Sequence, residues 1–197
     1  MSAIESLCNT LLDMGEQQTN PVLQILNGSE HIERDVKYPK DLLRFNQTQW
    51  RAYYHCHSND NDIQHLFNEE HGHFHIFAPI DKTNSWSHLV ALSIDSMGQP
   101  LRWFMVNHWV CGETWLDADS LQQSMENIPF AKQTTVIEKW LLSMVAVFQT
   151  EITSLLNKRD NIVNNNDQFK KNKSYYLLAE QKVNLQNKLE SLNLLAQ

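Results

Sequence analysis

A chain of 197 residues with 42% apolar and 10% aromatic side chains has the make-up of one packed domain that buries roughly 70% of its unfolded surface, which argues against a disordered polypeptide. The formal charge of −7, from 23 acids against 16 bases, argues against a protein that neutralises many backbone phosphates, so no nucleic-acid partner is expected. No apolar run approaches the roughly 20 residues needed to cross a bilayer. The opening MSAIESLCNTLLDMGEQQ has neither a basic nor a continuous apolar region, so a non-exported, cytoplasmic protein with no membrane association is expected.

The first segment reads as a helix. Ser2 and Glu5 form a capping box, and Ile4, Leu7, Cys8, Leu11 and Leu12 recur at helical spacing before Asn20-Pro21 ends the run. A second short helix is expected over Val22 to Leu26, closed by Asn27-Gly28. Tyr38 to Gln49 gives no clear period. From Trp50 the pattern alternates, predicting strands at about Trp50 to His57, His71 to Ala78, His88 to Asp95 and Leu101 to Val110. Ser96-Met-Gly-Gln-Pro100 has the composition and length of a hairpin turn, so the last two strands should be antiparallel neighbours. Helical signals then return, with capping boxes at Ser120/Gln123 and Thr135/Glu138. The second opens a long amphipathic stretch through Val136, Trp140, Met144, Val147, Phe148, Ile152, Leu155 and Leu156.

These elements predict an α+β fold: a mainly antiparallel sheet of four or more strands, N-terminal helices and long C-terminal helices. Residues 1–156 are expected to form one domain, 157–173 a polar Asn-rich linker, and 174–197 a C-terminal helix. In that last segment Leu178, Leu185 and Leu192 lie seven apart, with Leu189 between. A homo-oligomeric coiled-coil contact therefore stands open beside simple docking on the chain's own domain.

Chemistry concentrates between His55 and His75, where six of nine histidines fall. Residues two apart on a strand share a face, so His55 and His57 point together, as do His71, His73 and His75. If the two segments pair, their imidazoles converge and can hold a transition metal such as zinc, iron or manganese. His55, His57, His73 and His75 are the expected ligands. Three ligands would leave a catalytic position open, and four would close a structural or sequestering site. Glu70 could be a ligand, an orienter of an imidazole or a general base, and with His71 is the acid/base candidate. Asp60, Asp62 and Glu69 lie in the same acidic stretch. Gly72 admits a ligand or another backbone at close range.

The bland reading of each histidine is a hydrogen-bonded core or surface residue. Five on same-face spacing, left unused, would group several desolvated titratable side chains at a cost in stability. His31 and His65 read as solvated, and His88 as structural because it shares alternation with Val90, Leu92 and Ile94. A weaker candidate is NHWVCGETW, with Asn107, His108, Glu113 and Thr114 near a strand end and Cys111 as ligand, nucleophile or buried small residue. Arg102 would hold an anion or snorkel. Three cysteines without a CxxC pair indicate neither a disulfide framework nor a thiolate zinc ribbon.

HGHFHIF resembles the signature of the histidine-triad nucleotide hydrolases and transferases, which would make His73 the nucleophile and His75 the last of the triad. The upstream small residues and the Gly-Gln step of that family are missing, and Glu69-Glu70 stands where phosphate would bind. YYHCH, EHGHFHIF, SHLVALSID, GQPLRWF and NHWVCGETW together resemble an uncharacterised family of bacterial proteins with an EHGHFH core and an NxWVxGE element, over about Asn20 to Leu116. That resemblance implies a bacterial, soluble setting and no mechanism. It marks His55, His57, His71, His73, His75, Asn107, Trp109, Gly112 and Glu113 as signature positions, and the Asn-rich tail from Asn157 as peculiar to this chain. The leading functional expectation is a metal-binding protein, with a small-molecule substrate if it is a metalloenzyme. A nucleotide phosphoesterase or transferase and a non-enzymatic interaction module are the alternatives.

Overall fold

The computed structural model describes the chain except for residues 30–31, 47, 58–68, 81–82 and 193–197. His31, His65, Asp60 and Asp62 thus lie outside the described residues. Six strands form one antiparallel sheet in the order of the chain: β1 (Tyr38–Arg44), β2 (Arg51–His55), β3 (Gly72–Pro79), β4 (Trp86–Ile94), β5 (Pro100–Val106) and β6 (Leu177–Lys182). With helices before, between and after these strands, the α+β expectation holds. Among the described residues no helix is long and apolar enough to cross a membrane.

One face of the sheet carries Ala52, Tyr54, Phe74, Ile76, Leu92, Trp103 and Met105, and the helices bury it. Two helices open the chain: α1 (Ala3–Glu16), whose Ser2/Glu5 capping box forms as expected, and α2 (Pro21–Leu26), capped by Asn20. The short α3 (His108–Cys111) follows β5, and α4 (Ala118–Met125) comes next. The cap of α4 is Asp117, which accepts from the Ser120 amide, so the helix starts before the expected Ser120 box. The long amphipathic stretch divides into α5 (Val136–Val147) and α6 (Gln149–Val163) at Phe148, whose ring packs 6.0 Å from that of Trp103.

Three expectations at the C-terminal end change. Residues 157–163, expected as linker, continue α6, because Arg159 and Val163 extend the buried stripe of Ile152, Leu155 and Leu156 at helical spacing. The asparagines punctuate the chain there: Asn164 ends α6 in the left-handed region, and Asn166 caps α7 (Asp167–Lys170) with its side chain. The segment expected as one helix from residue 174 instead supplies β6, which pairs along β5, and then α8 (Leu185–Ser191). Leu178 therefore sits in a strand and shares no helical stripe with Leu185 and Leu189.

β5 also ends earlier than expected, at Val106. Asn107 leaves the sheet and caps α3, and its buried amide donates to the Phe169 and Asn172 carbonyls at 3.0 and 3.4 Å. Trp109 consequently does not alternate with Trp103 and Met105, and donates its indole N–H to the Tyr175 carbonyl.

Candidate functional site

The other face of the sheet carries the histidines. Antiparallel pairing sets His55 directly opposite His73 and Tyr53 opposite His75 on β2 and β3, while Ser93 stands opposite His73 and Ala91 opposite His75 on β4. The two segments therefore pair, which the sequence leaves open, and their imidazoles converge. Phe104, Val106, Tyr176 and Trp109 roof this face with apolar surface. The Phe104 ring lies 5.1 Å from that of His73, and Tyr176 is 6.2 Å from His57.

Gly72 explains how β2 and β3 come so close at the site. A Cβ there would meet the Tyr54 hydroxyl at 2.4 Å and the His55 carbonyl oxygen at 2.6 Å, so a backbone approaches, as glycine at this position allows.

The imidazoles divide into two groups. Nitrogens of His55, His57 and His73 lie within 4.8 Å of one another, and the same holds for ligating atoms of His75, His88 and Cys111. In the first group His55 Nε2 and His73 Nε2 are 2.7 Å apart, and His73 Nδ1 is 2.6 Å from Glu70 Oε1. When Glu70 is ionised, His73 Nδ1–H donates to it, which leaves the His73 Nε2 lone pair facing His55. This is the arrangement in which a carboxylate orients a metal-bound histidine. His57 lies past the end of β2 but keeps its ring 4.8 Å from that of His55 and 5.1 Å from that of His73. Its Nδ1 is 3.6 Å from Asp35 Oδ1.

In the second group His75 Nδ1 is 2.9 Å from His88 Nε2 and 3.7 Å from Cys111 Sγ. The groups adjoin, with the His75 ring 4.9 Å from that of His73 and 5.2 Å from that of His55. Of the four expected ligands, three thus fall together and His75 turns its Nδ1 to the neighbouring group. His71 joins neither. It precedes the first residue of β3, so strand alternation does not govern it, and it bonds Tyr54 Oη at 2.5 Å beside the helix-covered face.

His88 is the residue the alternation misplaced. The register of β4 against β3 shifts between Ile76 and Phe77, so that Val90 pairs with Ile76 but His88 pairs with Phe77. The extra residue, Leu89, moves His88 off the face of Val90 and onto the histidine face. No feature of the alternating run marks that bulge. His108 forms a loop brace, with Nε2 2.6 Å from the Glu113 carbonyl, while Arg102 pairs with Glu180.

Burial dominates the electrostatics. His73 and His75 are fully buried, and desolvation together with neighbouring imidazoles holds both well below the ordinary histidine range. Burial likewise lowers His57, takes His88 down to about 3 and, with His73 and His57 adding to it, takes His55 down to about 2. Each is a neutral lone-pair donor at neutral pH. Burial pushes Glu70 up to about 7 against the pull of Ser93 and Arg102, and lifts the Cys111 thiol to about 12. Several buried neutral imidazoles beside a carboxyl and a thiol are a costly way to fill a protein interior and a suitable shell for a cation.

No curated protein and no solved structure matches this chain. A family described as Domain of unknown function (DUF6969) matches residues 1–189. The match runs on through residues 157–189, so the segment from Asn157 lies within the family domain. It spans the sheet, both histidine groups and the helices around them, and on that extent the chain belongs to the DUF6969 family.

Proposed function

We propose that this domain binds a transition-metal ion through His55, His57 and His73, with Glu70 orienting His73 from behind. The observation that carries the reading is three imidazole nitrogens within 4.8 Å of one another, one of them braced by a carboxylate 2.6 Å from its other nitrogen. About 3.3 Å separates two nitrogens bound to one tetrahedral ion at about 2.0 to 2.1 Å. The 2.7 Å between His55 and His73 must therefore open slightly on loading, and the proton between them must move to the far nitrogen of His55. Zinc, iron and manganese all accept this donor set. Three protein ligands leave a position open, which extends the proposal to a metal-dependent reaction on a small molecule.

A phosphoryl-transfer reading with His73 as nucleophile is less well supported. Its Nε2 is engaged with His55, and the ring has no exposed surface for a nucleotide to reach.

The test is elemental analysis of protein purified without a metal-affinity tag, compared with His55→Ala/His57→Ala. Loss of one metal equivalent in the variant with the fold retained supports the proposal. Failure of the wild type to take up zinc, iron or manganese on reconstitution overturns it.

A further inference from the structure

We infer that His75, His88 and Cys111 form a second metal site, built for an ion with thiolate affinity such as zinc and separate in its ligands from the His55, His57 and His73 group. Three elements deliver these residues: β3 brings His75, the bulge in β4 turns His88 to the same face, and α3 sets Cys111 above both.

The spacing fits one ion. A tetrahedral zinc with nitrogen at about 2.0 to 2.1 Å and sulfur at about 2.3 Å separates a nitrogen and a sulfur by about 3.6 Å and two nitrogens by about 3.3 Å. The observed separations are 3.7 Å from Cys111 Sγ to His75 Nδ1 and 2.9 Å from His75 Nδ1 to His88 Nε2. An ion enters with a few tenths of an ångström of adjustment between the imidazoles. Two imidazoles and a thiolate are a set that zinc and copper accept and that calcium and magnesium do not.

His75 is fully buried, with its Nδ1 toward both other ligands. A cavity of about 20 Å³ touches His88 and Cys111 and is lined also by Ser87, Asn107, Glu113 and Arg159. It has room for one water molecule, so a fourth position on the ion can be filled by water or a small ligand. The Tyr53 hydroxyl lies 4.0 Å from Cys111 Sγ and can donate to a thiolate. That thiolate and Glu113 offset the charge the ion brings beside Arg159. The thiol gives up its proton on binding, as coordinating thiols do.

The test uses cobalt(II), which replaces zinc and gives sulfur-to-cobalt charge-transfer absorption only when a thiolate binds it. Cobalt titrated alone into the reduced, metal-free full chain should raise that absorption to a plateau that corresponds to one thiolate-bound ion among two bound equivalents. The signal should vanish in Cys111→Ser, fall sharply in His88→Gln, and persist in His55→Ala/His57→Ala. Charge-transfer absorption with only one bound equivalent in the wild type would sustain this site and count against the first group. Two bound equivalents without that absorption would leave the proposed function standing and overturn this inference. The wild-type spectrum decides the matter even if a variant fails to fold.

Discussion

Gly72→Ala should damage the site through the backbone without touching a ligand. The added methyl would sit 2.4 Å from the Tyr54 hydroxyl, 2.5 Å from its Cζ and 2.6 Å from the His55 carbonyl oxygen, where ordinary contact begins at 3.4 Å. Something must retreat by about 1 Å. The Tyr54 ring cannot swing away, since it is fully buried and packed 5.0 Å from Phe74, so the strain falls on the β2–β3 pairing that sets His55 opposite His73. Overpacking of this kind costs about 1–3 kcal/mol, and the clash with the His55 backbone carbonyl beside a ring that cannot move places Gly72→Ala in the upper half of that range. At about 2–4 °C per kcal/mol for a chain of this size, Tm should fall by about 5–10 °C. Displacing His55 on that scale should weaken metal binding by about tenfold or more, the scale of losing an orienting partner. Urea unfolding and a chelator-competition titration measure the two effects. Gly15→Ala is the control of opposite sign: it lies in α1 with no atom within 4 Å of the new Cβ, and should stabilise by about 0.5–1 kcal/mol. Gly72→Ala within 0.5 kcal/mol of wild type, with unchanged metal affinity, would refute the close-approach argument.

Glu70→Gln should keep the fold and lower metal affinity about 10- to 100-fold, because the amide no longer offers His73 Nδ1 a charged acceptor; competition titration reads this, and equal affinity would remove Glu70 from the site. The metal-free protein should be acid-sensitive. His55, His73, His75 and His88 are held below their unfolded value of 6.5, so their contribution is complete above that pH and is lost as pH falls below it. Glu70, raised from 4.5 to about 7, acts oppositely, adding stability at low pH that disappears as pH rises through 7. His57 is lowered as well, so the imidazoles outnumber the one carboxyl and stability should fall between pH 6.5 and 5.5, measurable by urea unfolding in chelator. Equal or greater stability at pH 5.5 would contradict buried neutral imidazoles. Arg159→Ala should cost about 2–3 kcal/mol in unfolding experiments, because the buried guanidinium donates to the Leu116 carbonyl and pairs with Asp160; a loss below 0.5 kcal/mol would make that contact incidental.

The histidine face was legible because alternation is a geometric property of strands: His55, His73 and His75 fall on one side as HxHxH spacing requires. Alternation carried one residue beyond the start of β3 sets His71 on the wrong face, and it cannot place His88, because a bulge shifts phase without leaving a mark in residue type. Caps and stripes mark the helices, yet the Asn-rich exposed face hides the last turns of α6, although Arg159 and Val163 keep the buried period. β6 was illegible for a different reason. Its leucines fit a helical repeat, and what makes Leu177–Lys182 a strand is the open edge of β5, a partner distant in the chain. The second group of ligands needed the fold itself, since His75, His88 and Cys111 come from three elements and share no motif.

The late arrival of β6 sets an order of events in the life of the chain. β2 to β5 are neighbours in sequence and can assemble as the polypeptide leaves the ribosome, but the β5 edge finds its partner only when Leu177–Lys182 has been made. Until then a row of unpaired amides and carbonyls invites other nascent chains. Tyr176, which covers His57, arrives with that same strand. A premature stop anywhere in α6 or α7 would therefore leave a sheet prone to pairing with its neighbours and a histidine face open to whatever metal the surroundings offer.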